Sequence, residues 1–311
     1  MTDAFRLVRR TDTAATHDHE AAQQRLADRS LPKTLHNLAE TAPTFRLDQP
    51  LETAINMALA VGAPLLLTGE PGTGKTQVAW YLGWYFNVPV YVYQVRSAAT
   101  ADDMKYDFDA VAYLRHAQRE DDATLARHHE RFMRKKALWQ AYECDTDCVL
   151  LIDEIDKAPR DFPNDLLLEL DQHWFQHPFL DERVIARRTP ITVITSNVER
   201  RLPDAFLRRC IFHHIELTEQ LVQEAVNARA ADFANLDAET RAEAQKRFWD
   251  IRSNDQIQKL PSTAEILIWL TILSAQGTTA AQLRDVRLAD LPAITALIKD
   301  RGDFERLGRQ R

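Results

Sequence analysis

The chain has 311 residues, 45% of them hydrophobic and 27% charged, with a net charge of −7; this is ample apolar content for a core, at a length that suits one large module or two small domains. No apolar run approaches the ~20 residues of a membrane span, the N-terminus lacks a secretory-type apolar stretch, and the acidic balance argues against generic nucleic-acid affinity, so a cytoplasmic protein is expected. Three cysteines, Cys144, Cys148 and Cys210, form no tandem C-x-x-C, which points to reduced thiols in or near the core rather than a disulfide or zinc framework.

Residues 1–43 read as a polar arm. His17 and His19 have no second ligand pair nearby, so a solvated or loosely helical segment is expected there rather than a metal site. Leu51, Ile55, Ala58 and Leu59 then recur at helical spacing and predict a short amphipathic helix.

Leu65 to Leu67 is an apolar strand running into Gly69-Glu70-Pro71-Gly72-Thr73-Gly74-Lys75-Thr76, which fits the phosphate-binding pattern G-x-x-x-x-G-K-[ST]. The glycines let the backbone turn tightly and aim several N–H groups at one small volume. The helix that follows points its positive end at the same volume. Lys75 supplies a mobile charge for the terminal phosphates, and the Thr76 hydroxyl is a ligand for Mg²⁺. Residues 69–77, ending at Gln77, are the expected ATP-binding set. The helix is predicted over 76–86, with Val78, Ala79, Leu82, Tyr85 and Phe86 on its buried face and Asn87 and Pro89 stopping it.

Residues 88–95, VPVYVYQV, read as the next strand. Residues 96–142 are long, charged and expected to be mostly helical. They carry a basic run, Arg127, His128, His129, Arg131, Arg134, Lys135 and Lys136, that reads as a solvated helix face or, alternatively, a nucleic-acid contact. Tyr106 and Phe108 are candidates for exposed aromatics on a central loop, or for simple packing.

Cys148 to Asp156, CVLLIDEID, is a buried parallel-type strand ending in two carboxylates. Ligands of open α/β sheets bind at such strand ends. Asp153 is expected to hold Mg²⁺, directly or through water, and Glu154 to orient or deprotonate the water that attacks the γ-phosphate. A helix over 162–170 and a β-hairpin over 173–188 come next. The strand ITVIT, 191–195, then leads to Ser196 and Asn197. Asn197 is placed either to hydrogen-bond the γ-phosphate or its water, or simply to make a turn. A short helix over 202–209 ends in Arg208 and Arg209 and precedes a last strand, 211–217, in which His213 and His214 read as strand residues.

These motifs carry a resemblance. GEPGTGKT (69–76), LLIDEIDKAPRDFPNDLL (150–167), VITSN (193–197) and LPDAFLRRCIFHHI (202–215) resemble the AAA+ ATPases and, within them, the MoxR-type ATPases. With PSTAE (261–265) and LPAITALIKDR (291–301), the likeness spans roughly 44–305. It implies an α/β fold, with an AAA+ P-loop core of parallel sheet flanked by helices over 44–217 and a small all-α lid over 218–311. By resemblance Asn197 takes the sensor-1 place and Arg209 the arginine-finger place, a role that Arg208 could share. The hairpin at 173–188 resembles the insertion before sensor 1. The third lid helix lacks the sensor-2 arginine of many relatives. Ser262 and Glu265 there form a capping box instead, and Lys259 is the nearest cation.

After residue 217 the pattern is helical, with helices expected over 221–234, 238–251, 262–275 and 291–299. The resemblance implies an ATP-hydrolysing, Mg²⁺-dependent chaperone or remodelling ATPase that forms a homo-oligomeric, hexameric ring and acts on a protein partner, in this family often one with a von Willebrand factor A domain. A nucleotide-gated scaffold in a signalling or defence assembly, and a DNA-directed protein using the 127–136 run, are the alternatives.

Overall fold

The computed structural model describes residues 8, 18–27, 37–117, 129–197 and 199–309. His17, Arg127, His128 and most of the 1–43 arm lie outside the described residues. Within that arm, His19–Ala27 and Leu38–Thr41 are helical. The chain forms two compact units, one of residues Leu47–Glu216 and one of Leu217–Arg311 with Met1–Arg46. No helix among the described residues is long and apolar enough to cross a membrane.

The Leu47–Glu216 unit is built on a five-stranded parallel sheet. Its strands are β1 (Leu65–Gly69), β2 (Val90–Gln94), β5 (Val149–Asp153), β8 (Ile191–Ser196) and β9 (Ile211–Ile215), in the order β2-β5-β8-β1-β9. The expected α/β architecture is the one observed. Sequence explains the order of exposure. The runs LLLTG, VLLID and ITVITS are almost wholly buried, as inner strands covered on both faces require. The runs VYVYQ and IFHHI mix exposed and half-buried positions, and they lie at the two edges. Two small antiparallel ribbons complete the unit. One pairs β3 (Tyr106–Phe108) with β4 (Met133–Lys135), the other β6 (Trp174–Gln176) with β7 (Arg183–Ile185).

The helix Gln49–Val61 forms where its apolar spacing predicts it, capped by the Asp48 carboxylate and ended by Gly62. The helix Lys75–Phe86 buries Val78, Ala79 and Leu82 as expected, but Tyr85 is 62% and Phe86 43% exposed. Gly83 accounts for the difference. It approaches β2 so closely that a Cβ would lie 2.3 Å from the Val90 Cγ2. The contact with the sheet therefore runs through Leu82 and Gly83, and the rings of Tyr81, Trp84, Tyr85 and Phe86 pack on one another along the outer side.

The described residues of 96–142 are helical in short pieces around a strand pair rather than in long helices. Short helices Ala101–Lys105, Ala110–Ala117 and Ala137–Tyr142 flank the β3–β4 ribbon. Arg134 and Lys135 thus belong to a strand rather than a helix face, and Lys135 and Lys136 pair with Glu143 and Asp107. Tyr106 packs edge-on against Trp139, and Phe108 meets Phe179 and Tyr113, so both are packing residues. The helix expected over 162–170 is two pieces, Phe162–Asp165 and Leu167–Gln172.

In the other unit, the helices Glu219–Ala228, Ala238–Arg252 and Thr263–Gln276 pack Val222, Phe248, Ile266, Trp269 and Leu270 into one core. Ser262 and Glu265 form the capping box that their spacing predicts. The first of these helices stops at Ala228, and a 3-10 turn covers Ala230–Phe233. The segment 291–299 is not an α-helix. Pro292 has no N–H and Ala293 takes φ 53°, which leaves a single 3-10 turn at Ile294–Ala296. Two further helices, Ala280–Arg284 and Arg301–Arg309, have no counterpart in the sequence expectations.

Candidate active site

The site is assembled at the C-terminal ends of β1, β5, β8 and β2. β1 delivers the chain into the loop at Gly69, Gly72 and Gly74, which take φ of 147°, 79° and 92°. Gly69 has a further constraint. A Cβ there would lie 2.5 Å from the Ile215 carbonyl oxygen of β9, so a side chain would push the loop off the sheet. The Thr73 hydroxyl donates to the Glu70 carbonyl at 2.9 Å and closes the turn. Glu70 and Pro71 form its exposed tip, and Gln77 is buried in the first turn of the helix.

Lys75 is 5% exposed. Its Nζ donates to the carbonyls of Gly69 (2.9 Å) and Glu70 (2.8 Å). Burial pushes its ammonium below the ordinary value, against the opposing pull of Asp156, Asp153, Glu154 and Glu70. A buried ammonium under this desolvation gains most from a polyanion brought close to it.

β5 ends in Asp153, whose Oδ1 accepts from the Thr76 hydroxyl at 2.8 Å and from the Thr195 hydroxyl at 2.7 Å. Thr76 and Asp153 thus bring two hard oxygen donors together at the start of the helix Lys75–Phe86, a donor set that fits Mg²⁺ shared with phosphate oxygens. Glu154 follows with φ 60°, which turns its backbone away from the strand. Its N–H donates to the Thr195 hydroxyl at 2.8 Å. Its carboxylate accepts from Gln94 Nε2 (2.7 Å), Asn197 Nδ2 (3.2 Å) and Lys157 Nζ. The Glu154 pairing is also the leading reason that the Lys157 ammonium is raised. Asp156 is 2% exposed and accepts from the backbone N–H groups of Asn197 and Glu199. This ties the loop after β8 to the loop after β5.

The structure therefore brings Lys75, Thr76, Asp153, Glu154 and Asn197 together around one loop. It does not bring Arg209 there. The Arg209 Nε donates to Asp171 and its Nη1 to the Ala205 carbonyl at 2.8 Å. Arg209 precedes β9 at the end where Ile211 pairs with Leu65, whereas the phosphate loop begins where Gly69 pairs with Ile215. The two ends are four residue steps apart, about 13 Å at ~3.3 Å per residue. Arg208 caps the helix Asp204–Leu207 at the same far end and is exposed. Lys259 belongs to the other unit, where its backbone N–H donates to Asp303 at 2.9 Å.

Sequence reasoning passed over Gln94, Lys157, Thr195 and the role of Asp156. Gln94 is the clearest case. It lies beside Asp153 only because β2 pairs with β5 in the register Gln94↔Asp153. The polar end of an otherwise apolar strand was its one signal.

Residues 64–210, just under half of the chain, match the family model "AAA domain (dynein-related subfamily)". No curated protein matches the chain. Among solved structures, a protein of Cytophaga hutchinsonii described provisionally as an ATPase is 11% identical, with a TM-score of 0.40 over 76% of this chain and 77% of that one. NtrX from Brucella abortus in complex with ADP is 15% identical, with a TM-score of 0.48 over 93% of this chain and 65% of that one. Its complex with ATP gives 15%, 0.44, 93% and 64%. At these identities and scores, nothing of their chemistry is carried to this chain. The phosphate loop, the acidic end of β5, Asn197 and Arg209 all lie inside the stretch that is similar to an AAA domain.

Proposed function

We propose that the protein hydrolyses ATP at this loop and completes its site only when a second copy supplies Arg209. The observation that carries the reading is the placement of Arg209 at the end of the sheet opposite Glu154 in the same chain. Backbone N–H groups of residues 72–76 and the Lys75 ammonium hold the phosphates. Mg²⁺, held by Thr76 and Asp153, would offset charge on the phosphate oxygens. Glu154 orients the attacking water and accepts its proton, and Asn197, bonded to Glu154, fixes that carboxylate. Arg209 of the second copy meets the charge that builds on the γ-phosphate.

The resemblance to MoxR-type ATPases supports a ring, hexameric in this reading, that remodels a protein partner such as a von Willebrand factor A domain protein. A second reading, a nucleotide-gated switch with slow turnover, is favoured by the three donors that hold Glu154.

Complementation in mixed assemblies tests the proposal. Arg209→Ala should leave ATP binding nearly intact and lower turnover by ~10³-fold or more, the scale of an arginine supplied in trans. Glu154→Gln should bind ATP and turn over at least ~100-fold more slowly. Mixing the two should restore activity above either alone, because some interfaces then hold one intact Glu154 and one intact Arg209. Wild-type turnover in Arg209→Ala would overturn the shared site.

A further inference from the structure

Cys144 follows the helix Ala137–Tyr142, and Cys148 immediately precedes β5. The ends of the three-residue loop between them converge. The Ala141 carbonyl accepts from the Cys144 N–H at 3.4 Å and from the Cys148 thiol at 3.5 Å. The loop is clamped from outside, with Asp145 paired to Arg187 and Asp147 to Arg188 at 3.2 Å.

The two sulfurs differ in access and in ease of ionisation. Cys148 is 1% exposed, whereas Cys144 is only partly buried. Burial works against ionisation of Cys144, but hydrogen bonds from Thr146, Tyr91 and Cys148 outweigh it and set the thiol below its ordinary value. The Thr146 hydroxyl lies 3.5 Å from the Cys144 sulfur. Burial and the neighbouring Cys144 push the Cys148 thiol up to about 12. A partly exposed thiol that ionises readily therefore lies three residues of loop away from a buried, protonated one, with the two cysteines drawn together on the Ala141 carbonyl. Cys210, which donates to the Phe206 carbonyl at 3.5 Å and is also pushed up to about 12 by burial, serves as an internal reference.

We propose that Cys144 and Cys148 are a peroxide-reactive dithiol, with Cys144 the attacking sulfur and Cys148 the resolving one. The Cys144 thiolate attacks one oxygen of hydrogen peroxide and the O–O bond breaks. Cys144 becomes a sulfenic acid, oxidised by two electrons, and the departing hydroxide takes up a proton to leave as water. The Cys148 sulfur then displaces the sulfenic hydroxyl, an S–S bond forms, and the Cys148 proton leaves with that hydroxyl as a second water. Two thiols and one peroxide give one disulfide and two waters. This order of reaction follows from thiolate character and exposure.

The test is hydrogen peroxide treatment of the whole protein, followed by alkylation and mass mapping of the fragments. The expected product is a Cys144–Cys148 disulfide that dithiothreitol reverses, with Cys210 still alkylatable and oxidised on the order of tenfold more slowly. In Cys148→Ser the reaction should stop at a Cys144 sulfenic acid that dimedone traps, and Cys148→Ala offers a second variant at this buried position. The wild-type map needs neither variant. Cys210 oxidising as fast as Cys144 would overturn the proposal. So would Cys144 passing to sulfinic acid while Cys148 remains a free thiol.

Discussion

Thr195→Val removes one hydroxyl and keeps the β-branched shape, so strand β8 itself is little disturbed. The hydroxyl is fully buried and does two jobs. It donates to the Asp153 carboxylate at 2.7 Å and accepts from the Glu154 N–H at 2.8 Å. Asp153 keeps the Thr76 hydroxyl, so its loss is one bond to a charged acceptor, about 1.5–3 kcal/mol. The Glu154 N–H loses its partner beneath the loop, which costs about 1–3 kcal/mol. The two together give about 2.5–6 kcal/mol, or about 5–24 °C in the melting temperature of a unit of this size. Because Glu154 is held at φ 60° by this contact, kcat should also fall, while KM for ATP, set mainly by the loop and Lys75, should change little. Thermal unfolding and steady-state ATP hydrolysis measure both effects, and Thr195→Ser should recover most of each. A Thr195→Val protein that melts within about 2 °C of wild type with unchanged kcat would refute the reasoning.

The other expectations are more local. Asp171→Asn should lower kcat more than KM, because Asp171 holds Arg209 without touching the phosphate loop; an unchanged kcat would show that Arg209 does not depend on it. Gly69→Ala should unfold or melt well below wild type, since its Cβ would meet the Ile215 carbonyl at 2.5 Å with φ at 147°, and chemical denaturation would register this. Burial raises Tyr93 and Cys210 each to about 12, from 10.0 and 9.0. The folded protein then holds protons that the unfolded chain has already lost, so these groups make stability fall with pH, Cys210 from about 9 and Tyr93 from about 10, up to about 12. Tyr93→Phe should flatten the upper part of that fall in a pH series of melts, and an unaltered slope would discount the tyrosine.

The sequence alone determined what is contiguous. Residues 69–76 carry their own turn, charge and hydroxyl, and the acidic pair after VLLID needs only the strand before it, so both were legible without any long-range contact. The parallel sheet was legible too, because strands with continuous apolar runs such as Leu65–Leu67 in β1 and Val149–Ile152 in β5 suit a sheet covered on both faces. The tertiary structure decided what surrounds these motifs. Only strand order and register bring Gln94 beside Asp153 and place the Thr195 hydroxyl between Asp153 and Glu154. Met133–Lys135 pairs with Tyr106–Phe108 across a long stretch of chain, and no local periodicity signals such a ribbon. The exposure of Tyr85 follows from Gly83 meeting Val90, a close approach between two elements whose own patterns are silent about it. Periodicity reports which face of an element is apolar, and contact between elements decides which part of that face is covered and which polar ends converge.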